Sequence, residues 1–550
     1  MDGCMHLSLI QRALHFEAGT LKGSVFTLVC SALGTGVLTL PYAFSQLGWV
    51  LGSVLLVVSG AVASLTIFIL MGAIRVTGSL TYSKMMGKAM NSHRWERVTD
   101  GIIVFYVIGC CISYFVFLGD FTPRILEAIP CPEIFRDRTL LLTLSLILIW
   151  PLSCVKRLSA LRHIALLPIF SIIITSIVVI VQAPHLIHEA FKTGMRPEAF
   201  SLSWNSPKAV NIFLFAYMAH VNVVPVAEEI FEREPNTSLL ACFKLGVTAC
   251  LIEFALYAPL AFVGYLSWLG LTRQNFTTNY SATDPAFFLC RILLSISMVV
   301  AVPINVFAAA KSCVSLARHL WGRSGVESPS SVSSNGERER ENGLESMDGE
   351  ENNKNKRIAM TLHVSGDSEM DGVSSSYPIA RDRTSPMPVP ATAASANPNT
   401  STTSNHNGSY SAPLVPVVVS SGLRPPHLDV EQPTITQSSS VTSIPEVPTS
   451  VFDRTWFRVF VVSICVLSSY VVALLTSRVA DIIGVVGGIF ATSFMVSFPA
   501  IVYYQEFYHV HPPWLYWTII IALAAFAMVG YVSTTVIVLQ WTGVCCTVTH

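Results

Sequence analysis

Charged residues are scarce in this sequence, and this shortage limits which classes of protein it can belong to. They make up 12% of the 550 residues, whereas a soluble domain carries about 25%. Lys and Arg together equal Asp and Glu in number, so the formal net charge is zero. This balance argues against a nucleic-acid-binding protein and against an acidic interaction tail.

Motifs for catalysis and for metal binding are also missing from the sequence. There is no Walker loop, no G-x-S-x-G and no clustered His/Glu metal motif. The thirteen cysteines show no C-x-x-C spacing; Cys110–Cys111 and Cys545–Cys546 are adjacent pairs. We therefore expect neither an enzyme, nor a cofactor, nor a metal site.

Long apolar runs dominate what is present, with 52% hydrophobic residues. A membrane-spanning helix needs about 20 mostly apolar residues. These runs predict an all-α integral membrane protein with eleven transmembrane helices in a lipid bilayer. The runs cover 24–44, 48–74, 101–119, 139–155, 163–182, 209–227, 243–268, 285–312, 456–477, 482–507 and 514–538.

The segment between the eighth and ninth runs has a different composition. Residues 324–452 are rich in Ser, Thr, Pro, Asn and Gly and nearly free of aromatic residues. Such a segment buries too little apolar surface to offset its chain entropy, which predicts a disordered loop. It is either a plain spacer or a regulatory segment with phosphorylatable serines.

Lys and Arg residues indicate the orientation in the membrane. The segments on the side of the N-terminus hold about twice as many of them as the others, so that side is predicted to be cytosolic. This gives a cytosolic N-terminus over 1–23, eight helices over 24–323, a cytosolic loop over 324–452, and three helices with the C-terminus over 453–550. The sequons at Asn275 and Asn279 then lie outside, and glycosylation is expected there rather than at Asn236, Asn399 or Asn407.

Two of the apolar runs are interrupted. The first contains Gly34, Gly36 and Pro41, and the sixth contains the segment 215–229 with His220, Asn222 and Pro225. Irregular backbone within a membrane is tolerated where it lines a cavity or is buried in protein. The glycines are therefore either a site whose amides bind a carboxylate or a close helix contact, and His220 belongs either to that site or to packing. Breaks at corresponding places predict two inverted repeats of five helices with an eleventh appended.

Ionisable residues within the runs leave further alternatives open. Glu253 is either a carrier of a coupling proton or the structural partner of another helix. Arg291 lies near the outer end of its run and is expected to extend toward the outer surface. Asp120 ends the third run and is expected to be solvated.

Several sequence motifs together resemble the amino acid/auxin permease family, which includes neutral and vacuolar amino acid transporters. They are GTGVLTLPYAF, GCCISYFVFLGDF, AYMAHVNVVPVAEEI, VPINVFAAAKS and DIIGVVGGIFATSFMVSFPAIVYY. They occur in family order over nearly all of the apolar part. The resemblance implies the leucine-transporter fold and a site between the first, third, sixth and eighth helices.

The resemblance also implies which residues bind the substrate. They are Ala32, Leu33, Gly34, Thr35, Gly36, Tyr217, His220 and Asn222. The amides at 34–36 are expected to hold the carboxylate, with Gly36 beside the substrate backbone. Sodium-coupled members carry an asparagine where this chain has Cys30 and a threonine where it has Ala301. Because neither replacement offers a side-chain oxygen, proton coupling, with Glu253 as candidate, or exchange is favoured over sodium coupling.

The resulting prediction is a secondary transporter that moves amino acids by alternating access. The rival prediction is a nutrient sensor that binds amino acids and signals through the loop 324–452. The membrane is expected to be either the plasma membrane or a vacuolar or lysosomal one.

Overall fold

Every regular element in the described part of the chain is a helix. A computed structural model describes residues 19–79, 81–155, 166–321, 455–508 and 511–542. Within these ranges there is no β-strand. The predicted loop 324–452 and most of the N-terminal segment 1–23 lie outside the described residues, so the domain boundaries stay predictions.

The helices are numbered in chain order. They are α1 (Leu21–Ala32), α2 (Thr35–Leu47), α3 (Trp49–Thr77), α4 (Tyr82–Ala89), α5 (His93–Glu127), α6 (Arg138–Cys154), α7 (Leu167–Lys192), α8 (Ser206–Ala216), α9 (Val223–Arg233), α10 (Leu239–Trp268), α11 (Pro285–Trp321), α12 (Thr455–Leu475), α13 (Val479–Val486), α14 (Phe498–Glu506) and α15 (Pro513–Trp541). Two π-helical stretches, Gly487–Ala491 and Ser493–Ser497, join α13 to α14.

The length and apolar character of the helices confirm a helical membrane protein. Nine spans in the described ranges are long and apolar enough to cross a bilayer, counting α8–α9 and α13–α14 as one span each. The bent pair α1–α2 makes a tenth. Helix α6, which has 17 residues, is apolar but shorter than these spans. The predicted count of eleven therefore remains a prediction.

Burial separates the helices at the centre of the bundle from those at its edge. In the span through α8–α9, 78% of the apolar stretch is buried, and in α13–α14 the share is 83%. In α15 the share is only 28%, and apolar side chains such as Ile521 and Met528 are exposed. An apolar helix with an exposed surface suits contact with lipid. The interrupted span α8–α9 thus lies at the core of the molecule.

Arg291 organises the loop that precedes α11. The prediction that it extends to the outer surface is wrong: it is 0% exposed. Its guanidinium donates to the carbonyl oxygens of Tyr280 at 2.9 Å, Thr277 at 3.1 Å and Ser281 at 3.1 Å. A buried guanidinium needs such acceptors because it cannot shed its proton. Arg291 therefore fastens the loop to α11.

The same loop contains the two predicted glycosylation sites. Asn275 is buried, its amide nitrogen donates to Asp120 at 3.1 Å, and its amide oxygen accepts from Thr277 at 2.7 Å. Asp120 is consequently bonded and half-buried rather than solvated as expected. Asn279 is half-buried and donates to the carbonyl of Leu271. Of the two sites, Asn279 is the more accessible.

Candidate functional site

The first break lies between α1 and α2. Helix α1 ends at Ala32, and the Leu33 amide donates to the Val29 carbonyl at 3.0 Å. Helix α2 begins at Thr35 after a bend of 59°. Its N-cap residue is Gly34, which has no side chain to accept a hydrogen bond. The first amides of α2 consequently lack the acceptor that a Ser or Asp cap provides.

A small cavity adjoins this break. It measures about 30 Å³, which holds about one or two water molecules and is too small for an amino acid. A Cβ atom built on Gly34 would lie 3.1 Å from the Tyr114 hydroxyl oxygen, so this tyrosine bounds the cavity closely. The lining comes from the α1–α2 link, α2, α5, α7 and α11: Leu33, Gly34, Leu38, Tyr114, Pro168, Ile172, Leu294, Ser297, Met298 and Ala301.

The second break separates α8 from α9. Helix α8 ends at Ala216, and a 3-10 turn over His220–Asn222 precedes α9. The Ala216 carbonyl accepts a hydrogen bond from the Tyr257 hydroxyl at 3.0 Å. The buried Tyr217 ring lies edge-on to Tyr257, with ring centroids 5.3 Å apart. Helix α10 therefore stabilises the broken backbone through Tyr257.

Gly36 brings the two breaks together. A Cβ atom on Gly36 would lie 2.9 Å from Ala216 Cα and 3.0 Å from Phe215 Cδ1. Real carbon contacts are optimal near 3.5–4.0 Å, so only glycine permits this approach. The start of α2 thus packs on the end of α8. A side chain at Gly36 would thus point at α8, whereas Gly34 lines the cavity; the placement of Gly36 beside the substrate stays a prediction.

Thr35 fixes the first break to α5. Its hydroxyl lies 2.9 Å from the Ser113 hydroxyl, and both residues are buried. Ser113 and the cavity residue Tyr114 are neighbours within the GCCISYF stretch. The motif in α5 thus contributes one contact to the Thr35 side chain at the break and one residue to the wall of the cavity.

His220 and Asn222 do not join the cavity. The His220 ring is 0% exposed, and its Nε2 atom lies 2.8 Å from the Thr66 hydroxyl of α3. This contact matches the packing interpretation of His220. The Asn222 side chain is exposed. Neither residue is among those lining the cavity.

The three candidates for ion coupling lie in different surroundings. Ala301 lines the cavity, and its carbonyl accepts from the Asn305 side chain at 2.9 Å. Cys30 is half-buried in α1 and is absent from the cavity lining. Glu253 is 0% exposed, and within the described residues neither carboxyl oxygen has a hydrogen-bond partner. It lies one helical turn before Tyr257 in α10, whose hydroxyl donates to the Ala216 carbonyl at the second break.

Sequence reasoning missed part of the site. It did not single out Tyr114, Tyr257, the cavity residues of α7, or those of α11 other than Ala301. The motif GCCISYF contains Tyr114, and VPINVF begins directly after Ala301. Nothing in the α7 sequence distinguishes Pro168 and Ile172 from other apolar residues.

Comparison with known proteins gives matches along most of the chain. A profile of the family described as "Transmembrane amino acid transporter protein" matches residues 17–540. "Putative amino acid transporter AAT1" of Toxoplasma gondii is 40% identical over 303 residues, 55% of this chain and 41% of that protein. The Plasmodium falciparum protein of the same name is 23% identical over 301 residues, 55% of this chain and 48% of its own.

A fungal relative extends the comparison. "Vacuolar amino acid transporter 5" of Schizosaccharomyces pombe is 26% identical over 288 residues, which cover 52% of this chain and 66% of that protein. The matched part of the chain spans less than half the length of the Toxoplasma and Plasmodium proteins.

Proposed function

We propose, because the chain belongs to the transmembrane amino acid transporter protein family, that it carries amino acids across a membrane by alternating access. The observation that supports this proposal is the pair of broken helices: the uncapped start of α2 packs against the end of α8 beside a cavity. Broken helices that meet in this way are typical of transporter binding sites. In this proposal the cavity widens when substrate enters.

The substrate carboxylate binds at the start of α2. The amides of Gly34, Thr35 and Gly36 are there, and the positive end of the helix dipole favours an anion. Ala32 and Leu33 shape the link that leads to these amides. The small cavity volume means that the substrate displaces Tyr114 or neighbouring side chains on entry.

The substrate ammonium group binds carbonyls of the second break. Ala216 and Tyr217 are not the best acceptors, because Tyr257 and the Ala219 amide already bond to their carbonyls. Val221 is a better one: four residues further on lies Pro225, which has no N–H to donate. His220 and Asn222 act here through the backbone turn that they form, since their side chains point elsewhere.

Proton coupling through Glu253 completes the proposal. A carboxylate without a partner is costly to bury, whereas the neutral acid is much less so. Glu253 also lies one helical turn from Tyr257 in α10, which holds the Ala216 carbonyl of the second break, so gain or loss of a proton at Glu253 would act on the backbone of the site through Tyr257. Cys30 and Ala301 offer no side-chain oxygen to sodium, a cation that prefers oxygen ligands.

The remaining proposals are eleven helices with α6 as the short span and the five-plus-five inverted repeat, which the family resemblance implies. A cytosolic N-terminus is proposed from the distribution of Lys and Arg. The membrane is either the plasma membrane or a vacuolar or lysosomal one.

Flux measurements in proteoliposomes test the function. Uptake of radiolabelled amino acids, at two pH values and with sodium or choline, is expected to proceed without sodium and to rise with an inward acid gradient. Glu253→Gln should abolish that rise, whereas Glu189→Gln, at an exposed position, should preserve it. Amino acid esters, which lack the carboxylate charge, should compete poorly. Saturable binding without flux would indicate a sensor and refute transport; strict sodium dependence would refute the coupling.

A further inference from the structure

Three side chains with nitrogen and oxygen donors meet at one end of the bundle. His93 and Glu96 lie in the first turn of α5, three residues apart and therefore on one helix face. His319 lies in the last turn of α11. The three donor atoms all lie within 4.8 Å of one another.

The distances within the cluster match those between ligands of a bound metal ion. One carboxylate oxygen of Glu96, Oε2, lies 3.4 Å from His93 Nδ1 and 3.6 Å from His319 Nε2. In a tetrahedral zinc site with bonds of 2.0–2.1 Å, neighbouring ligand atoms are about 3.3–3.4 Å apart. Both measured pairs are close to this value, and the two histidine nitrogens, which lie within 4.8 Å of each other, need to approach by about 1.5 Å at most to match it.

The second nitrogen of His319 fixes the direction of the ring. Its Nδ1 atom lies 2.9 Å from the Ser315 carbonyl oxygen, which can only accept, so Nδ1 carries the proton. In the neutral ring the lone pair is then on Nε2, and it faces the carboxylate oxygen of Glu96. Two lone pairs that face each other are stabilised by a cation between them. A backbone carbonyl bonded to the outer nitrogen is also the usual support of a metal-binding histidine.

Burial keeps the acidic ligand in place. The side chain of Glu96 is 9% exposed, and its Cβ lies against Gly87 of α4. His319 is 32% exposed and His93 is 86% exposed, so the site is open to solvent on one side. That opening leaves a fourth coordination position for water.

We propose that His93, Glu96 and His319 form a binding site for a zinc-type divalent cation that joins the start of α5 to the end of α11. The ligand set of two imidazoles and one carboxylate suits zinc. The bound ion ties the two helices at the position where α11 ends and the segment 322–454 begins. This proposal is independent of the proposed transport.

Zinc binding to the purified full-length protein tests the site. The protein carries an affinity tag without histidines, is stripped with a chelator, and is titrated with Zn²⁺ in competition with a chromophoric chelator. One binding site is expected to weaken at least tenfold in each of His93→Ala, Glu96→Gln and His319→Ala. His188→Ala, at an exposed histidine of α7, serves as the matched control and should bind zinc as the parent does.

His93→Ala keeps the test valid if the other variants misfold, because His93 is exposed and its replacement removes a ligand without creating a cavity in the core. Addition of Zn²⁺ should also raise the apparent Tm of the parent and of His188→Ala, but not that of the three ligand variants. Equal zinc affinity in the parent and all three ligand variants would overturn the proposal. So would a lower Tm of Glu96→Gln with unchanged zinc binding, since that result would indicate a Glu96–His319 ion pair only.

Discussion

Substitution of the two glycines at the first break separates packing from substrate binding. Gly36→Ala places a methyl group 2.9 Å from the Ala216 α-carbon and 3.2 Å from its nitrogen. These are backbone atoms, so relief requires α2 and α8 to separate by about 0.6–1 Å. Overpacking of this kind costs about 1–3 kcal/mol. We expect a lower apparent Tm and a lower flux for this variant.

Gly34→Ala should behave differently. Its methyl group lies 3.1 Å from the hydroxyl oxygen of Tyr114, which is the free end of a long side chain and can move away. The fold should therefore stay intact while the methyl group occupies part of the cavity. If it prevents one charge-assisted hydrogen bond to the carboxylate, the loss is about 1.5–3 kcal/mol, or roughly 10- to 150-fold in KM.

The assay compares the two variants with the parent protein at equal amounts of folded protein. Thermal unfolding of purified protein reports the packing, and the concentration dependence of flux in proteoliposomes reports the binding. An unchanged Tm for Gly36→Ala would refute the close approach of α2 and α8. An unchanged KM for Gly34→Ala would refute the assignment of the carboxylate to this cavity.

Three further predictions follow from burial and composition. Deletion of 330–445 should leave a folded protein with measurable flux, because the composition of this segment predicts little apolar burial. Complete loss of flux in a correctly delivered protein would contradict this prediction. Arg291→Met should destabilise the loop before α11 and speed its proteolysis, because each buried carbonyl left unpaired costs about 1–3 kcal/mol. Arg291→Lys should have a smaller effect on proteolysis. Equal proteolysis of Arg291→Met and the parent would contradict the conclusion that Arg291 fastens this loop. The Lys208 ammonium lies 2.6 Å from the Asp481 carboxylate in a largely buried pair. Asp481→Asn should therefore lower the free energy of unfolding by about 3–5 kcal/mol, whereas Lys208→Met combined with Asp481→Leu should restore it. An unchanged Tm for Asp481→Asn would show that the pair is not needed for stability.

The helical membrane class could be predicted because it depends on composition and run length, which a single sequence contains. The positions of the two breaks also follow from local chemistry, since glycine permits irregular backbone and proline removes a backbone donor. Pro41 is an instructive exception: it lies within α2 and does not end it. Pro41 is the seventh of the thirteen residues of α2, where a proline removes one backbone hydrogen bond; in membrane helices this loss is tolerated when neighbouring groups satisfy the freed carbonyl, so only the 33–34 link is broken.

Residues whose role depends on a distant partner could not be assigned in this way. For Gly36 the sequence left a close helix contact open beside a binding role, but it could not identify the contacting atoms, which belong to α8. Arg291 was read as exposed because its position along the helix suggested proximity to water, and the carbonyls that bind it come from an irregular loop. The approach of His319 to Glu96 joins two helices that are far apart in the chain, and neither histidine occurs in a recognisable metal motif.

The π-helical turns between α13 and α14 have a similar origin. Gly487 and Gly488 pack against Asn211 of α8, and Gly488 also packs against Thr534 of α15. The Asn211 amide donates to the Gly484 carbonyl at 2.9 Å. A wider helical turn accommodates these contacts with the core of the bundle. The apolar run at 482–507 predicted a span but not this distortion, because hydropathy is the same for both kinds of turn.

The two breaks supply complementary charges without a charged side chain. The start of α2 presents amides at the positive end of a helix dipole, and the turn between α8 and α9 offers the Val221 carbonyl, to which Pro225 has no N–H to donate. Because Gly36 lets the start of α2 pack on the end of α8, the two breaks are neighbours, and the proposed site takes opposite partial charges from them. A free amino acid carries a carboxylate and an ammonium group on one carbon, which matches that arrangement. Backbone groups would then recognise the part shared by all amino acids, while α5, α7 and α11 would select among side chains.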